Sequence, residues 1–299
     1  MTVTVQPTTP DFAAEVGDVD LGKPLSAEDL AAIRAAFTKY AVLVFPDQTF
    51  SDESHLDFAR HFGPLETSVF AIRSDHKMRL QPQLADVGNL DAEDRILKTD
   101  DRVRLYQLGN RLWHTDSSFK RLPAYCSILH GRAIPPIGGQ TEFADLRAAY
   151  DALPEATRQK IAGLVAEHSL MTSRAKLGFS DWDETERKAF EPVPQVVARR
   201  LPDSGRMSLY LASHAGAIRG MPKADAERLL KELIDHATQR QFVYTHRWRV
   251  NDLVMWDDRC TMHRGLAFDD QRYKRDMRRA TVSDVAPTCE QMGLAVAAE

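Results

Sequence analysis

Two histidines and one aspartate have the types and spacing needed to hold a metal ion. His114 and Asp116 lie two positions apart in Trp113-His-Thr-Asp, and His263 follows a β-prone run that ends in a polar turn. In a strand, residues i and i+2 point to the same face, so this imidazole and carboxylate can converge on one ion. Two histidines and a carboxylate leave three octahedral positions open, as in iron(II) oxygenases, whereas catalytic zinc sites more often keep one. The alternative interpretation is a chance hairpin with a hydrogen-bonded core histidine.

A cluster of arginines follows the third candidate ligand. Arg275 and Arg279 are four positions apart, and Arg278 lies between them. A guanidinium offers two parallel donors to a carboxylate, which an oxygenase with a dicarboxylate co-substrate would need beyond its metal. Because neighbouring strand residues point to opposite faces, at most one of Arg278 and Arg279 can enter a pocket. The alternative is a solvated basic turn, but the run leads into β-prone Ala280–Val282, which favours a functional role.

Composition excludes several classes of partner. The 299 residues include 39 basic and 43 acidic side chains, for a net charge of -4, which is the wrong sign for a surface that seeks phosphates. No nucleic acid is therefore expected as a partner. Three cysteines without a C-x-x-C pair indicate a reducing compartment. The sequence shows neither a signal peptide nor an apolar run long enough to cross a membrane, so we expect a cytoplasmic protein that binds no membrane. We also expect a homo-oligomer.

The first third of the chain predicts helices and one buried strand. A capping box at Ser26 and an apolar stripe predict a helix over about residues 27–39, and residues 41–45 read as a strand. A second helix is predicted from Ser51 to Gly63, with the glycine as a left-handed C-terminal cap. Residues 66–110 are charged and weakly periodic, so we expect a long mobile segment that acts as an active-site lid.

Short β-prone runs broken by turns dominate the chain after Trp113. They predict an antiparallel barrel that is either closed or made of two sheets. Helical insertions around Leu146–Leu164 and Ala224–Thr238 are expected to pack outside it. Because the candidate chemistry runs from His114 to Arg279, residues 1–299 are expected to form a single domain. The predicted strands are Tyr125–Leu129, Thr141–Ala144, Val193–Val197, Ser208–Leu211, Phe242–Trp248, Leu253–Trp256 and Arg279–Val282.

These motifs, taken together and in order, resemble a known family. The matching runs are Leu43-Val-Phe-Pro, Phe62-Gly-Pro, Asn110 to Phe119, Gly138-Gly-Gln-Thr-Glu-Phe143, Trp256-Asp-Asp-Arg, His263-Arg, and Arg275 to Thr281. The chain is similar to the taurine dioxygenase/phenoxyacetate dioxygenase family of 2-oxoglutarate-dependent enzymes. Within that family it resembles the herbicide-degrading aryloxyalkanoate dioxygenases.

The resemblance implies a mainly β fold with flanking helices, namely a cupin-like double-stranded β-helix or jelly roll. It implies Fe(II) held by His114, Asp116 and His263, with O2 and 2-oxoglutarate as co-substrates. Thr141 and Arg275 would bind the far carboxylate of 2-oxoglutarate. Read locally, Thr141 is merely a good strand starter after two glycines.

Three further residues match substrate-binding positions of the family. Arg279 matches the arginine that engages the anionic head of the substrate, and Asn110 matches a contact of the sulfonate-cleaving branch. His214 resembles a histidine that the phenoxyacetate enzymes use for the substrate carboxylate, although a neutral reading as a loop cap is also open. The chain departs from the pattern at Ala217, where the phenoxyacetate enzyme has a further histidine. No catalytic residue is predicted beyond the metal ligands.

The resemblance implies hydroxylation of the carbon next to the ether oxygen of a small aromatic carboxylate. The unstable product of a phenoxyacetate or phenoxypropionate would collapse to a phenol plus glyoxylate or pyruvate, with succinate and CO2 from the co-substrate. One alternative is a taurine, alkyl sulfonate or sulfate dioxygenase of the same family. An alternative of another class is a non-catalytic metal-binding jelly-roll protein.

Overall fold

The computed structural model describes residues 3–72 and 77–295. Within these ranges it has fifteen strands and nine α-helices. The strands are β1 (Thr4–Pro7), β2 (Ala13–Gly17), β3 (Val42–Phe45), β4 (Leu84–Asp86), β5 (Ala124–Ala133), β6 (Thr141–Asp145), β7 (Val165–His168), β8 (Val193–Val196), β9 (Ala198–Arg200), β10 (Met207–Leu209), β11 (Ala215–Ile218), β12 (Val243–His246), β13 (Leu253–Asp257), β14 (Thr261–Gly265) and β15 (Asp276–Ser283). The helices are α1 (Ala27–Tyr40), α2 (Asp52–Arg60), α3 (Arg102–Gln107), α4 (Leu146–Asp151), α5 (Glu155–Ile161), α6 (Leu170–Ala175), α7 (Glu184–Ala189), α8 (Lys223–Ala237) and α9 (Thr288–Gln291), with 3₁₀ turns at Val69–Ile72, Leu108–Arg111 and Arg240–Phe242.

Two sheets face each other across the centre of the protein. The larger has seven strands in the order β1-β2-β3-β13-β5-β15-β4, and the smaller has the order β12-β6-β14. Phe143 of the smaller sheet packs in one cluster with Val254 and Trp256 of the larger. The arrangement matches the predicted β fold of two facing sheets, which are antiparallel except for the parallel pair β2 and β3. All seven predicted strands overlap observed ones.

Alternation along the central strands divides the core into two parts. On β3, Val42 and Val44 face the smaller sheet, while Leu43 and Phe45 pack on the outer side with α1 and α2. This is expected because successive side chains of a strand point to opposite faces. The same alternation on β15 sends residues 277, 279 and 281 inward, and it leaves Arg278 on the outer face.

The helices lie outside the sheets, as predicted. Ser26 caps α1 by accepting a hydrogen bond from the backbone N–H of Asp29. The predicted helix at 146–164 is two helices, because Pro154 cannot continue α4 and instead begins α5. Helix α8 buries its leucine stripe against α4 and β11. Among the residues described, no helix has the length and apolar character required to cross a bilayer.

Gly63 has a different role from the one predicted. Helix α2 ends at Arg60 with His61 as its cap, two residues before the glycine. Gly63 has φ +146°, and a Cβ there would lie 2.9 Å from a methyl carbon of Val282. The glycine is therefore required by close packing against β15 and not as the helix cap.

The predicted lid segment contains regular structure where it is described. Strand β4 pairs with the edge of the larger sheet through β15, and α3 and a 3₁₀ turn follow it. Arg79 forms ion pairs with Asp86 and Asp276 at 2.7 Å each, which ties the segment to β15. Residues 73–76 lie outside the described residues. The predicted mobility of 66–110 stays a prediction.

Candidate metal centre and adjoining cavity

The three predicted metal ligands come together at one end of the barrel. His114 and His263 are directly opposite each other in a backbone bridge, with N–H···O distances of 3.0 and 2.8 Å. His263 belongs to β14, but His114 is in a short extended segment and not in a regular strand as predicted. Thr115 points the other way, and its hydroxyl oxygen lies 2.8 Å from the carbonyl oxygens of both Leu211 and Thr261, one of which accepts its proton. The i, i+2 geometry thus places Asp116 on the side of His114.

These residues, the metal-ligand cluster, have donor atoms that all lie within 4.8 Å of one another. Asp116 carboxylate oxygens are 3.8 Å from Nε2 of His114 and 3.7 Å from Nε2 of His263. His114 Nδ1 is 2.7 Å from the carbonyl oxygen of Leu112, so Nδ1 carries the proton and Nε2 is free to bind a metal. The donor set of two imidazoles and one carboxylate therefore fits an octahedral divalent metal with open positions.

The protonation states of the cluster suit metal binding. Burial lowers the pKa of His114 and holds the pKa of His263 well below its usual value, so both rings are neutral at pH 7. Burial opposes ionisation of Asp116, but the Arg279 guanidinium and the hydrogen bond from Ser127 favour the anion, and the pKa of Asp116 is lowered. Metal binding requires this combination of neutral imidazoles and a carboxylate anion.

Buried polar groups fix the carboxylate of Asp116 from behind. The Ser127 hydroxyl donates to it at 2.8 Å. Asp258 accepts hydrogen bonds from the backbone N–H of Asp116 and from the indole of Trp256. Burial and the neighbouring Asp116 raise the pKa of Asp258 well above its usual value. The Trp256-Asp-Asp-Arg motif is thus part of the support of the site.

The structure distinguishes the two neighbouring arginines of β15. Arg279 faces the cavity beside the cluster and donates to Asp116 at 2.5 Å. Arg278 points to the opposite side, where it pairs with Asp52 at 2.6 Å and with Asp276 at 3.2 Å. Arg279 is therefore the one that can meet a ligand in the cavity.

Arg275 is buried without an acidic partner in the described chain. Its guanidinium donates to the carbonyl of Gly139 and packs 5.6 Å from the ring centre of Phe268. Burial lowers its pKa to about 10. Thr141 is two residues beyond Gly139 on β6, and Phe143, two further on, lies opposite His263. Arg275 thus lies against the start of β6, the strand that carries Thr141 and pairs with the strand of His263. A guanidinium and a hydroxyl in this region have the chemistry to bind an anion.

The cavity beside the cluster includes the other predicted substrate residues. Its wall contains His114, Asp116, Arg279, His214 and Asn110. The lining also includes residues 66–70, Gln83, residues 85–87, Tyr106 and Gln107, all within the predicted lid segment. The structure thus brings the predicted metal and substrate residues to the cluster or to this cavity, and it places Arg275 and Thr141 on either side of Gly139 and β6.

A family model described as "Taurine catabolism dioxygenase TauD, TfdA family" matches residues 4–281. That range includes the metal-ligand cluster, Thr141 and both site arginines. The chain belongs to this family. No helix or strand that forms the cavity lies outside the match.

Comparison with individual proteins shows which members of the TauD/TfdA family this chain is similar to. The alpha-ketoglutarate-dependent 2,4-dichlorophenoxyacetate dioxygenase of Cupriavidus pinatubonensis is 42% identical, over 96% of this chain and 99% of its own. The (S)-phenoxypropionate/alpha-ketoglutarate-dioxygenase of Sphingobium herbicidovorans is 37% identical, over 89% and 90%. The crystal structure of AAD-2 in complex with Mn(II) and N-oxalylglycine matches with a TM-score of 0.93 and 46% identity, covering 96% of this chain and 100% of that chain. The predicted family and jelly-roll fold are confirmed.

One residue of the cavity in this TauD/TfdA chain was missed by sequence reasoning. Arg174, on α6, is 4% exposed and lines the same wall as His214. Its guanidinium carbon lies 4.5 Å from the ring centre of Tyr106, and it packs on Gly109, where a Cβ would lie 2.2 Å away. Burial lowers its pKa, partly offset by Tyr106. The only available signal was an arginine in a short polar run, which has no local pattern.

Proposed function

We propose that this chain is an Fe(II)/2-oxoglutarate-dependent dioxygenase, of EC 1.14.11 type, that acts on aryloxyalkanoates. It hydroxylates the carbon next to the ether oxygen of a phenoxyacetate or phenoxypropionate and yields a phenol plus glyoxylate or pyruvate, with succinate and CO2. The observation that carries the proposal is the metal-ligand cluster, whose donor atoms lie within 4.8 Å of one another. The names of the similar proteins, which act on 2,4-dichlorophenoxyacetate and (S)-phenoxypropionate, supply the substrate class.

In this proposal His114, Asp116 and His263 hold the iron. Bound Fe(II) supplies the oxygen chemistry, in which 2-oxoglutarate becomes succinate and CO2 while the substrate carbon is hydroxylated. The protein contributes neutral imidazoles, a carboxylate anion and the hydrogen bond from Ser127 that orients it. Because Asp116 occupies the carboxylate position, hydroxylation is expected and not halogenation.

Arg275 and Thr141 bind the far carboxylate of 2-oxoglutarate. The guanidinium is buried with no acid against it, so an anionic ligand would satisfy a charge that the described protein leaves unbalanced. The Thr141 hydroxyl accepts a hydrogen bond from the indole of Trp248 at 2.9 Å, which leaves its own proton for a carboxylate. The dicarboxylate would thus be held at one end by the arginine and reach the metal with the other.

The aryloxyalkanoate occupies the cavity beside Asp116. Arg279 faces it and binds the anionic head of the substrate, while His214 and Asn110 contact the substrate from the wall. Positioning is the main contribution, since a small displacement of the target hydrogen lowers productive turnover. Residues 66–110 would act as the lid, because their described part lines the cavity.

The remaining features of the proposal concern the whole molecule. The sites for metal, co-substrate and substrate share residues of both sheets, which supports a single domain over 1–299. We place the protein in the cytoplasm, since Cys126, Cys260 and Cys289 are all buried and unpaired. We further propose a homo-oligomer, to be tested by light scattering of the purified protein.

The test is turnover of a substrate panel by the purified protein with Fe(II), 2-oxoglutarate and air. Phenoxyacetates, phenoxypropionates, alkyl sulfonates and alkyl sulfates are compared by succinate formation, and phenol release is measured for the first two. Phenol formed in step with succinate is the expected result. Succinate with sulfonates or sulfates alone would contradict the substrate class and favour the other branch of the family.

An anaerobic measurement separates the enzyme from a metal-binding protein without oxygen chemistry. Addition of Fe(II) and 2-oxoglutarate is expected to produce a weak visible metal-to-ligand band. The matched control is Arg275→Gln, which should need a higher concentration of 2-oxoglutarate to produce the band. No band in the wild-type protein would favour the binder.

A further inference from the structure

Arg174 is a second buried cation of the substrate cavity, and it has no acidic partner within the described chain. Its Nη1 donates to the Ser173 hydroxyl at 3.1 Å. Its Nε makes no hydrogen bond to any residue that the structure describes. Arg279, by contrast, is already bonded to Asp116. Burying an arginine without a carboxylate is costly, so a group that supplies the missing negative charge would bind strongly here.

The Ser173 hydroxyl determines how the His214 ring is protonated. This hydroxyl has three neighbours, namely the Leu170 carbonyl at 2.9 Å, Arg174 Nη1 at 3.1 Å and His214 Nδ1 at 2.9 Å. A hydroxyl has one proton, and the carbonyl can only accept while the guanidinium can only donate. The proton therefore goes to Leu170, and Nδ1 of His214 must donate to the serine.

This arrangement limits what His214 can offer to a ligand. With the proton on Nδ1, Nε2 of the neutral ring has only a lone pair, and it makes no hydrogen bond to the described protein. A second proton, on Nε2, would make the His214 ring a cation, and two cations would then donate to the same Ser173 oxygen. A lone pair repels a carboxylate, so His214 is suited to contact the substrate through its ring or as an acceptor.

We propose that Arg174, together with Arg279, binds the carboxylate of the substrate, and that His214 acts as a positioning residue through Ser173. This inference rests on the proposed function and names the carboxylate partner within the same cavity. The ring of His214 stands edge-on to Phe119 with centroids 5.0 Å apart, which holds the ring in place while Ser173 holds Arg174. The carboxylate specificity of the enzyme then depends on an arginine of α6 and an arginine of β15.

The test compares a charged ligand with a neutral one of the same shape. Phenoxyacetate and phenoxyacetamide are titrated calorimetrically into the protein loaded with Mn(II) and 2-oxoglutarate. Arg174→Gln is expected to weaken binding of the acid about 30-fold or more, because one partner of a buried charge pair is lost. Binding of the amide should change by less than about threefold, since no charge is involved. Arg174→Lys keeps a cation and should recover part of the loss.

Two further variants serve as controls. His214→Asn keeps a side-chain N–H that can donate to Ser173, so Arg174 stays in position and the preference for acid over amide should be retained. Arg206→Gln removes an exposed arginine that pairs with Asp151, remote from the cavity lining, and should match the wild type.

Each other outcome overturns a defined statement. Unchanged acid binding in Arg174→Gln, or equal weakening of acid and amide, would leave Arg174 with a packing role only. Loss of the acid preference in His214→Asn would return the carboxylate to His214. If the wild type binds neither compound and releases no phenol from any aryloxyalkanoate, the proposed function fails as well. Acid binding and phenol release by the wild type, with an unaffected Arg174→Gln, overturn only the inference.

Discussion

Two regions of the site are buried but differ in how their charge is balanced. One is the metal-ligand cluster, and the other consists of Arg275 and Arg174, which have no acidic partner among the described residues. The protein itself surrounds Asp116 with Arg279, Ser127 and two imidazoles. Arg275 and Arg174 meet only carbonyl, hydroxyl and aromatic groups among the described residues. The comparison teaches that the metal end is prepared by the protein alone, whereas the cationic positions are completed by their ligands.

The largest effect is expected where the protein completes its own site. Asp116→Ala removes the only carboxylate of the cluster and leaves Arg279 without its partner. Outer supports of metal sites typically contribute 10- to 100-fold, so loss of a direct ligand should lower oxygenase activity by more than about 100-fold. Succinate formation and Mn(II) affinity both measure this. Full activity in the variant would remove Asp116 from the site.

A smaller effect is expected at an arginine that a ligand completes. Arg275→Gln should raise the KM for 2-oxoglutarate about 30-fold or more, equivalent to at least about 2 kcal/mol. Mn(II) affinity in the absence of 2-oxoglutarate should stay near the wild-type value, because the Arg275 guanidinium donates to the Gly139 carbonyl and, among the described residues, to no member of the cluster. Arg278→Gln, which alters the outward-facing neighbour, is the matched control. An unchanged KM would contradict the role of Arg275.

A support behind the cluster should matter less than a ligand. Ser127→Ala removes the hydroxyl that donates to Asp116 at 2.8 Å. We expect about a tenfold loss of metal affinity, at the lower end for such supports. The KM for 2-oxoglutarate, measured at saturating metal, should be unaffected. An increase in the KM for 2-oxoglutarate without a loss of metal affinity would instead assign Ser127 to the 2-oxoglutarate site with Arg275, and would contradict the difference drawn between the two regions.

The smallest effect separates backbone strain from contact with Arg275. Gly139 has φ +71°, and a Cβ there would lie 2.5 Å from a guanidinium nitrogen of Arg275. Gly163 has φ +73°, with nothing within 4 Å of the added Cβ. Both Gly→Ala changes should cost about 1 kcal/mol of stability from the left-handed backbone. Only Gly139→Ala should also raise the KM for 2-oxoglutarate, by about fivefold. Equal KM values would show that the guanidinium moves freely.

Sequence reasoning was most successful where the signal is local. The motif around His114 and the buried runs of β3, β5 and β13 have residue types and spacing that determine their structure with little help from distant contacts. His263 follows the polar turn at residues 258–260, as expected, but its strand, β14, was not predicted, because a strand of Thr, Met, His, Arg and Gly lacks a hydrophobic alternation. Strand β11, Ala215–Ile218, was missed for the same reason.

Sequence reasoning failed where the role of a side chain depends on the partners that it lacks in the folded structure. Arg174 is one of many arginines in the chain, and only the folded structure reveals a guanidinium buried without an acid. The direction of the His214 hydrogen bond is likewise a property of three groups meeting at one hydroxyl. Resemblance supplied the identity of Thr141, since its local pattern indicates only the start of a strand.

The backbone bridge between His114 and His263 has a consequence for the assembly of the centre. The two residues are 149 positions apart, yet each donates to the carbonyl of the other. Contacts between such distant segments form late, because a long loop must be closed before they are gained. Synthesis proceeds from the amino end, so His114 and Asp116 are made well before His263. We therefore expect the complete set of three ligands to form only late in synthesis, after His263 has been made.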